Sequence, residues 1–274
     1  MKDTDCREFL DWALPRLGFR RAGFRRVRGQ VCKRIARRLH ALDLPDPRAY
    51  RQLLDADPGE WAKLDSFCRI TISRFCRDRR VFEWLEQIAL PDLASRALAR
   101  DRAVLRCWSA GCGGGEEPYT LRILWDLCLA SRFAALHFDI VATDAAPAML
   151  ARARRAAYQA GTLRELPKSL VADAFIRVQG EYRLRREFRA GIRFLRQDIR
   201  QRMPRGPFDL VLCRNLAFTY FDEAGQRRVL RRIARRMIAG GILLIGRNER
   251  LPTDASGFRE DHATPGAYRY RGPA

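Results

Sequence analysis

The fold of this chain is set by VLRCWSAGCGGGEEPYT, residues 104–120. Its apolar start at 104–108 predicts a buried strand, and the glycines that follow allow a sharp turn that a ligand can approach closely. Glu116, Glu117 and Pro118 then open a helix, because proline in the first helical turn needs no backbone donor and acids suit the positive helix end. Strand, glycine turn and helix in this order build nucleotide sites in parallel α/β sheets.

Beyond this stretch, predicted strands alternate with predicted helices, which indicates a parallel sheet with helices on both faces. A polar segment at about 160–191 interrupts the alternation as a small insertion, and AYRYR at 267–271 predicts an antiparallel last strand. Strands are expected at 104–108, 138–143, 192–196, 208–213 and 241–246, and helices at 116–131, 146–159 and 223–238.

N-terminal to the stretch 104–120, the pattern of residues 5–102 predicts only helices. In the segment 31–42, Val31, Ile35 and Leu39 recur at helical spacing. Two separate helices are expected close to the strand, at 77–90 and 92–100. We therefore expect an N-terminal helical domain at 1–70, a linker with connecting helices at 71–102 and a nucleotide-binding domain at 103–274.

The composition excludes several classes of protein. No apolar run approaches the ~20 residues that span a bilayer, and the charged N-terminus is unlike a secretory signal, so we expect a cytoplasmic protein. The eight cysteines form no CxxC pair and there are three histidines, so we expect no metal site and reduced cysteines. The net charge is +21, but 49 of the 53 basic residues are Arg, a skew that genome composition can produce, so the charge is weak evidence for nucleic acid.

Polar residues follow the predicted strands at the sheet edge where ligands bind in α/β proteins. Asp144 can accept hydrogen bonds from ribose hydroxyls or cap the next helix, and Glu117 lies inside the glycine turn. Gln197-Asp198-Ile199 follows the third strand, where in a fold that binds S-adenosylmethionine (SAM) an acidic or amide side chain can meet the adenine amino group. No Gly-Lys-Ser/Thr follows the glycines, which excludes a P-loop. Taken alone, the glycine turn is compatible with binding of either a dinucleotide or SAM.

Four motifs together resemble the CheR-type methyltransferases, SAM-dependent enzymes that esterify glutamates of chemotaxis receptors. They are SAGCGGGEEPYT, ATDAAPAMLARAR, FDLVLCRN followed by TYFD, and AGGILLIGRNE. TISRFCRD at 71–78 is similar to the segment that joins the two domains of that family. The similarity is strong over about 62–250 and fainter before it, where RIARRLHALDL at 34–44 matches a basic helix. The resemblance implies a Rossmann-like class I methyltransferase sheet with an N-terminal helical domain.

The resemblance also implies roles for individual residues. Tyr220 would lie near the transferring methyl group, and Arg77 would bind either the acceptor carboxylate or that of SAM. Arg34 and Arg37 would lie on the face that meets acidic receptor helices. The implied SAM-binding residues are Thr71, Ser73, Arg77, Gly111, Gly113, Glu117, Asp144, Asp198, Ile199, Arg214 and Asn215.

The chain departs from the pattern of that family at four places. The aromatic pair before the linker arginine is here Phe75-Cys76, and the late Ser-Glu is Asn248-Glu249. His40 stands where the basic helix usually repeats arginine. Four residues instead of three separate Asn215 from Tyr220, which makes Thr219 a rival for the place near the methyl group.

From this resemblance we expect a SAM-dependent O-methyltransferase, yielding S-adenosylhomocysteine, that acts on glutamate carboxylates. The expected partner is an acidic protein such as a cytoplasmic chemoreceptor helix. We expect no nucleic-acid partner, no membrane insertion and a monomer. One alternative is methylation of a small molecule or another protein. A second is a non-catalytic SAM-sensing or RNA-binding module.

Overall fold

The computed structural model describes residues 2–255 and 257–272. Its contacts divide the chain into two units. A helical unit comprises Met1–Ile70 together with Thr219–Gln226, and an α/β unit comprises Thr71–Phe218 together with Arg227–Ala274. Among the described residues, no helix is both long and apolar enough to cross a bilayer.

The helical unit begins with five helices: α1 (Asp3–Arg16), α2 (Arg21–Phe24), α3 (Arg28–Ala41), α4 (Pro47–Ala56) and α5 (Pro58–Phe67). Helix α3 buries Val31, Ile35 and Leu39 as its spacing predicts. Asp46 and Asp57 cap α4 and α5 by accepting hydrogen bonds from backbone N–H groups in the first turn, and proline follows each of them. Local sequence signals therefore fix where these two helices begin.

A disulfide joins α1 to α3. It links Cys6 and Cys32, whose Cα atoms lie 5.9 Å apart, within the range that disulfides require. The expectation that every cysteine is reduced is wrong for this pair, because the packing of two helices brings together residues 26 positions apart. The other six cysteines form no disulfide with any described residue.

A seven-stranded sheet forms the centre of the α/β unit, in the order β6-β2-β1-β7-β8-β10-β9. The first five strands in this order run parallel, and β10 pairs antiparallel with β8 and with β9. The Rossmann-like fold class is therefore confirmed, as is the antiparallel last segment. The strands are β1 (Val104–Ala110), β2 (His137–Asp144), β3 (Ala157–Tyr158), β4 (Phe175–Val178), β5 (Glu181–Leu184), β6 (Ile192–Arg196), β7 (Phe208–Cys213), β8 (Met237–Ile245), β9 (Phe258–Glu260) and β10 (Ala267–Tyr270).

Two strands of the predicted insertion, β4 and β5, form a second antiparallel sheet with β3, in the order β3-β5-β4. The remaining helices are α6 (Arg79–Trp84), α7 (Leu90–Leu98), α8 (Glu116–Leu124), α9 (Pro147–Arg155), α10 (Ala160–Leu163), α11 (Lys168–Ala174), α12 (Ala217–Tyr220) and α13 (Glu223–Ala234). The helix expected over 146–159 is wrong at its end, since α9 stops at Arg155 and Ala157–Tyr158 is a strand.

The predicted break between two helices near Pro91 is wrong. Helix α6 continues through a π-helical turn, Leu85–Ala89, directly into α7. Proline removes one N–H and crowds the preceding turn of an α-helix, whereas a π-helical turn is wider. The chain therefore stays helical across Pro91.

Candidate functional site

The glycine turn connects β1 to α8 at the carboxyl edge of the sheet. Gly111, Gly113 and Gly115 have φ of 71°, 56° and 88°, a left-handed conformation that glycine adopts without strain. At Gly115 a side chain would also collide, since an added Cβ would lie 2.9 Å from the Tyr119 ring and 3.0 Å from Ala153. The glycines are thus required by the backbone path and by packing.

Asp144, the last residue of β2, holds this turn. Its Oδ2 accepts a hydrogen bond from the Gly113 N–H at 2.9 Å, and its Oδ1 accepts one from the Ala146 N–H at 2.8 Å, just before α9. An ionised carboxylate has about four acceptor positions. The carboxylate therefore joins the glycine turn to the start of α9.

Glu116 and Glu117 differ in their surroundings. Glu116 is fully buried and pairs with Arg152 at 2.6 Å. Burial raises the pKa of Glu116, against the opposing effect of Arg152. Glu117 accepts a hydrogen bond from the Ser109 hydroxyl at 2.8 Å and pairs with Arg214 at 3.1 Å. Glu117 thus joins the ends of β1 and β7.

Arg214 directly follows β7, and its side chain is only 3% exposed. It pairs with Asp78 at 2.6 Å and donates to the Arg77 carbonyl at 2.8 Å, in addition to its contact with Glu117. Its Nε is buried without a hydrogen-bond partner among the described residues. Most of the guanidinium is therefore committed to the protein, whereas its Nε–H has no acceptor among the described residues.

Asn215 has φ of 52°, and its N–H donates to Oε2 of Glu249 at 2.9 Å. Glu249 is buried and also accepts a hydrogen bond from the Gly246 N–H at the end of β8. The late Asn248-Glu249 motif thus supports the backbone of Asn215.

The linker lies against the glycine turn. A Cβ added at Gly113 would lie 3.5 Å from the Ser73 Cβ. Thr71 is half-buried two residues earlier. Arg77 donates to the Ile72 carbonyl at 3.0 Å and makes no ion pair with any residue that the structure describes. This segment therefore brings to the site a cation that has no acidic partner among the described residues.

The cysteine that departs from the family pattern is unreactive. Cys76 is buried, and burial raises the pKa of its thiol to about 12. The thiol therefore stays protonated near neutral pH and is a poor nucleophile.

The end of β6 offers one partner for adenine directly. Asp198 is already engaged, since it pairs with Arg200 at 2.7 Å and accepts from its N–H at 2.9 Å. Oε1 of Gln197 is buried and has no partner among the described residues. A buried acceptor of this kind requires a donor, and the amino group of adenine fits that requirement. Ile199 beside them is buried.

Tyr220 and Thr219 belong to the helical unit. The Tyr220 ring packs on Phe24 with 5.0 Å between ring centroids, and the Thr219 carbonyl accepts a hydrogen bond from Arg20 at 2.8 Å. A Cβ added at Gly23 would lie 2.2 Å from the Thr219 carbonyl oxygen. This segment is therefore closely packed on α2.

The two arginines of α3 have different surroundings. Arg34 donates to the carbonyls of Phe67 and Arg69, each at 2.7 Å, and so satisfies the C-terminal end of α5. Arg37 is exposed. Of the two, Arg37 is therefore the one whose guanidinium faces solvent.

Sequence reasoning missed Asp78 and Glu116 as parts of this site. Both are acids in the motifs that we quoted, TISRFCRD and GGGEEPYT. Neither motif indicates which distant arginine each acid meets. Glu116 is buried, and a buried carboxylate requires a cation or donors, so an acid directly after a glycine turn is a signal for such a partner.

Comparison with known proteins places these residues in one family. The family described as CheR methyltransferase, SAM binding domain, matches residues 71–266. The chemotaxis protein methyltransferase of Listeria innocua serovar 6a is 37% identical over 186 residues, which cover 68% of each chain. The probable chemotaxis protein methyltransferase of Rhizobium etli is 33% identical over 236 residues, 82% of this chain and 85% of that one. The chain belongs to the CheR methyltransferase family, and residues 71–266 form its SAM-binding domain.

Proposed function

We propose that this SAM-dependent methyltransferase esterifies glutamate side chains of a chemoreceptor. Curated relatives carry the name chemotaxis protein methyltransferase, which supports an acceptor of the chemotaxis system. SAM, when bound, supplies a methyl group on a positively charged sulfur. The chain itself has to bind SAM, orient a carboxylate and exclude water.

Residues at the carboxyl edge of the sheet are proposed to hold SAM. Asp144 meets the ribose, and the β6 end, Asp198 and Ile199, lies against adenine. The turn at Gly111 and Gly113 lets the backbone approach the ligand closely. We assign Thr71, Ser73, Glu117, Arg214 and Asn215 to the surrounding wall.

The observation that carries the proposal is the guanidinium of Arg77, which makes no ion pair with any described residue and donates only to a backbone carbonyl among them. Most partly buried arginines around it have an acid partner, as Arg214 has in Asp78 and Glu117. A guanidinium matches a carboxylate with two parallel hydrogen bonds. We infer that Arg77 binds a carboxylate from outside the chain, either that of the acceptor or that of SAM.

A carboxylate acceptor requires little else from the protein. A glutamate side chain is already ionised at neutral pH, since its reference pKa is about 4.3, so no general base is needed. Rate enhancement then comes from orientation of the attacking oxygen and from its desolvation. We propose that Tyr220, or Thr219 in its place, orients this oxygen through its hydroxyl.

The acceptor is proposed to be an acidic helix that meets α3. Lys33 and Arg37 are exposed on that helix, and opposite charges favour encounter. A cytoplasmic receptor helix fits this description. We also propose that the enzyme is monomeric and acts in the cytoplasm, where such a helix is accessible.

Methyl transfer to purified receptor fragments tests the proposal. The full chain is incubated with radiolabelled SAM and an acidic cytoplasmic receptor fragment, and label released by mild base as methanol is counted. We expect base-labile label on the fragment, absent when its acceptor glutamates are replaced by alanine. SAM binding without label on any acidic protein would contradict the proposal and favour a small-molecule acceptor or a sensor. RNA affinity that falls steeply with salt, with no transfer, would favour an RNA-binding module.

A further inference from the structure

The linker turn that carries Arg77 has an uncommon backbone. Cys76 and Asp78, on either side of Arg77, have φ of 50° and 66°. Residues with a side chain rarely adopt this left-handed conformation, because Cβ approaches the backbone. Such a conformation persists only where surrounding contacts hold it, and it is concentrated at functional sites.

Contacts before Arg77 anchor one side of this turn. The Phe75 N–H donates to the Thr162 carbonyl at 3.0 Å, and the Phe75 ring packs edge-on against Tyr158 with centroids 4.8 Å apart. The Cys76 N–H donates to the Thr120 hydroxyl at 3.2 Å. The backbone leading into the turn is therefore fixed by α8 and by the insertion.

Two side chains hold the other side. Oε2 of Glu165 accepts a hydrogen bond from the Asp78 N–H at 3.2 Å. Nη2 of Arg214 donates both to the Arg77 carbonyl at 2.8 Å and to the Asp78 carboxylate at 2.6 Å. Nη1 of Arg214 pairs with Glu117 at 3.1 Å, and the guanidinium lies 5.3 Å from the Phe82 ring centroid. The planar guanidinium thus links the turn to the strand edge that holds the glycine turn.

We propose that Arg214 is a positioning residue: it holds the left-handed linker turn and thereby fixes the backbone from which Arg77 reaches its carboxylate. This inference rests on the proposed function, because it depends on the role of Arg77. Lysine cannot replace Arg214, because an ammonium lacks the rigid fork that reaches a carbonyl and two carboxylates at once.

A double-mutant cycle tests the dependence on Arg77. Receptor methylation and S-adenosylhomocysteine affinity are measured for the wild type, Arg77→Ala, Arg214→Met and the double variant. Arg77→Ala should lower receptor methylation or the affinity for S-adenosylhomocysteine. We expect Arg214→Met to lower the same one of these two quantities by about 10- to 100-fold, since coupled residues interact by up to ~3 kcal/mol. In the Arg77→Ala background the further loss should be under about threefold. Losses that multiply would overturn the proposal.

Two matched variants separate positioning from folding. Asp78→Asn removes the charge from one partner but leaves the pair between Arg214 and Glu117. It should therefore lower the quantity that Arg214→Met lowers, receptor methylation or S-adenosylhomocysteine affinity, by a smaller factor than Arg214→Met does. Arg102→Met breaks a comparable pair with buried Asp209 at the amino end of β7. If Arg102→Met and Arg214→Met lower activity equally at temperatures where both are folded, Arg214 has only a structural role.

Amide hydrogen exchange provides a readout that does not need catalysis. In Arg214→Met the fragment 73–80 should exchange at least about tenfold faster, because local opening is governed by the contacts that hold a segment. In Arg102→Met its exchange should be unchanged. Unchanged protection in Arg214→Met would overturn the inference. Faster exchange with no methylation of any acceptor by the wild type would contradict the proposed function instead.

Discussion

Two turns at the same sheet edge hold the chain in left-handed conformations by different means. In the glycine turn these conformations fall on Gly111, Gly113 and Gly115, where they cost no strain. In the linker turn they fall on Cys76 and Asp78, where each costs about 1–2 kcal/mol. In the first turn glycine itself permits the conformation, whereas in the second only surrounding contacts hold it.

The partners of the two turns differ accordingly. The glycine turn is held by Asp144 and by the Thr143 carbonyl, which accepts from the Gly111 and Cys112 N–H groups at 2.8 and 2.9 Å. The linker turn is held by side chains far along the chain: Glu165, and Arg214, which lies 136 residues away from Asp78. A local turn can be read from the sequence, while a side-chain clamp becomes visible only in the folded chain.

Breaking the glycine turn should have the largest effect on stability. In Gly115→Ala, the added Cβ would lie 2.9 Å from the Tyr119 ring at φ of 88°. We expect a loss of about 2–5 kcal/mol in the free energy of unfolding, from strain and overpacking together, measured by urea denaturation. Gly180→Ala is the control, since its φ is 81° but nothing lies within 4 Å of the added Cβ. It should lose only about 1–2 kcal/mol, and an equal loss in both would refute the packing argument.

The second-largest effect should come from removing the carboxylate that holds the glycine turn, which should weaken ligand binding. Asp144→Ala leaves the Gly113 N–H without its acceptor and removes the proposed ribose contact. We expect S-adenosylhomocysteine affinity to fall about 10- to 100-fold, because hydrogen bonds to charged groups contribute ~1.5–3 kcal/mol. Isothermal titration calorimetry measures this. The control is Asp139→Ala on the same strand, which should leave the affinity unchanged. A similar loss of affinity in that variant would show that Asp144→Ala acts by disturbing the strand and not by removing a ligand contact.

The smallest expected effect is a pH dependence of the free energy of unfolding, which arises from Glu116 next to the glycine turn. Burial raises the pKa of Glu116 above its ordinary value of 4.5. Between that value and the raised one, the folded state binds more protons than the unfolded state, so stability falls as pH rises through this window. In Glu116→Gln this contribution should disappear. Urea denaturation across the window checks it, and an identical slope in both proteins would contradict the assignment.

Much of the α/β unit was predictable. Apolar runs in the sequence correspond to the strands β1, β2, β6, β7 and β8, and Asp144 lies at the end of one of these runs. The rule that the carboxyl ends of parallel strands meet at one sheet edge is then enough to place the ends of these strands together. The break expected at Pro91 was wrong, because a π-helical turn is not encoded in hydrophobic periodicity. The disulfide between Cys6 and Cys32 was missed, since it depends on helix packing.

The roles of individual site residues remain predictions from the family resemblance. Arg34 illustrates the difficulty, because its helical face was predictable but its bonds to the end of α5 were not. Asp198 presents the same difficulty, since it already pairs with Arg200. The buried acceptor that has no partner among the described residues belongs to its neighbour Gln197.

Local chemistry thus accounts for the strand, the glycine turn and the opening of α8, because glycine, proline and apolar runs restrict the backbone over a few residues wherever they occur. The amino-acid order contains no comparable signal that Arg214 meets Asp78, Glu117 and the Arg77 carbonyl. Those contacts form only when the carboxyl end of β7 comes beside the linker. The physical reason is distance along the chain: local preferences act between neighbours, whereas a buried ion pair requires the whole sheet to be assembled around it.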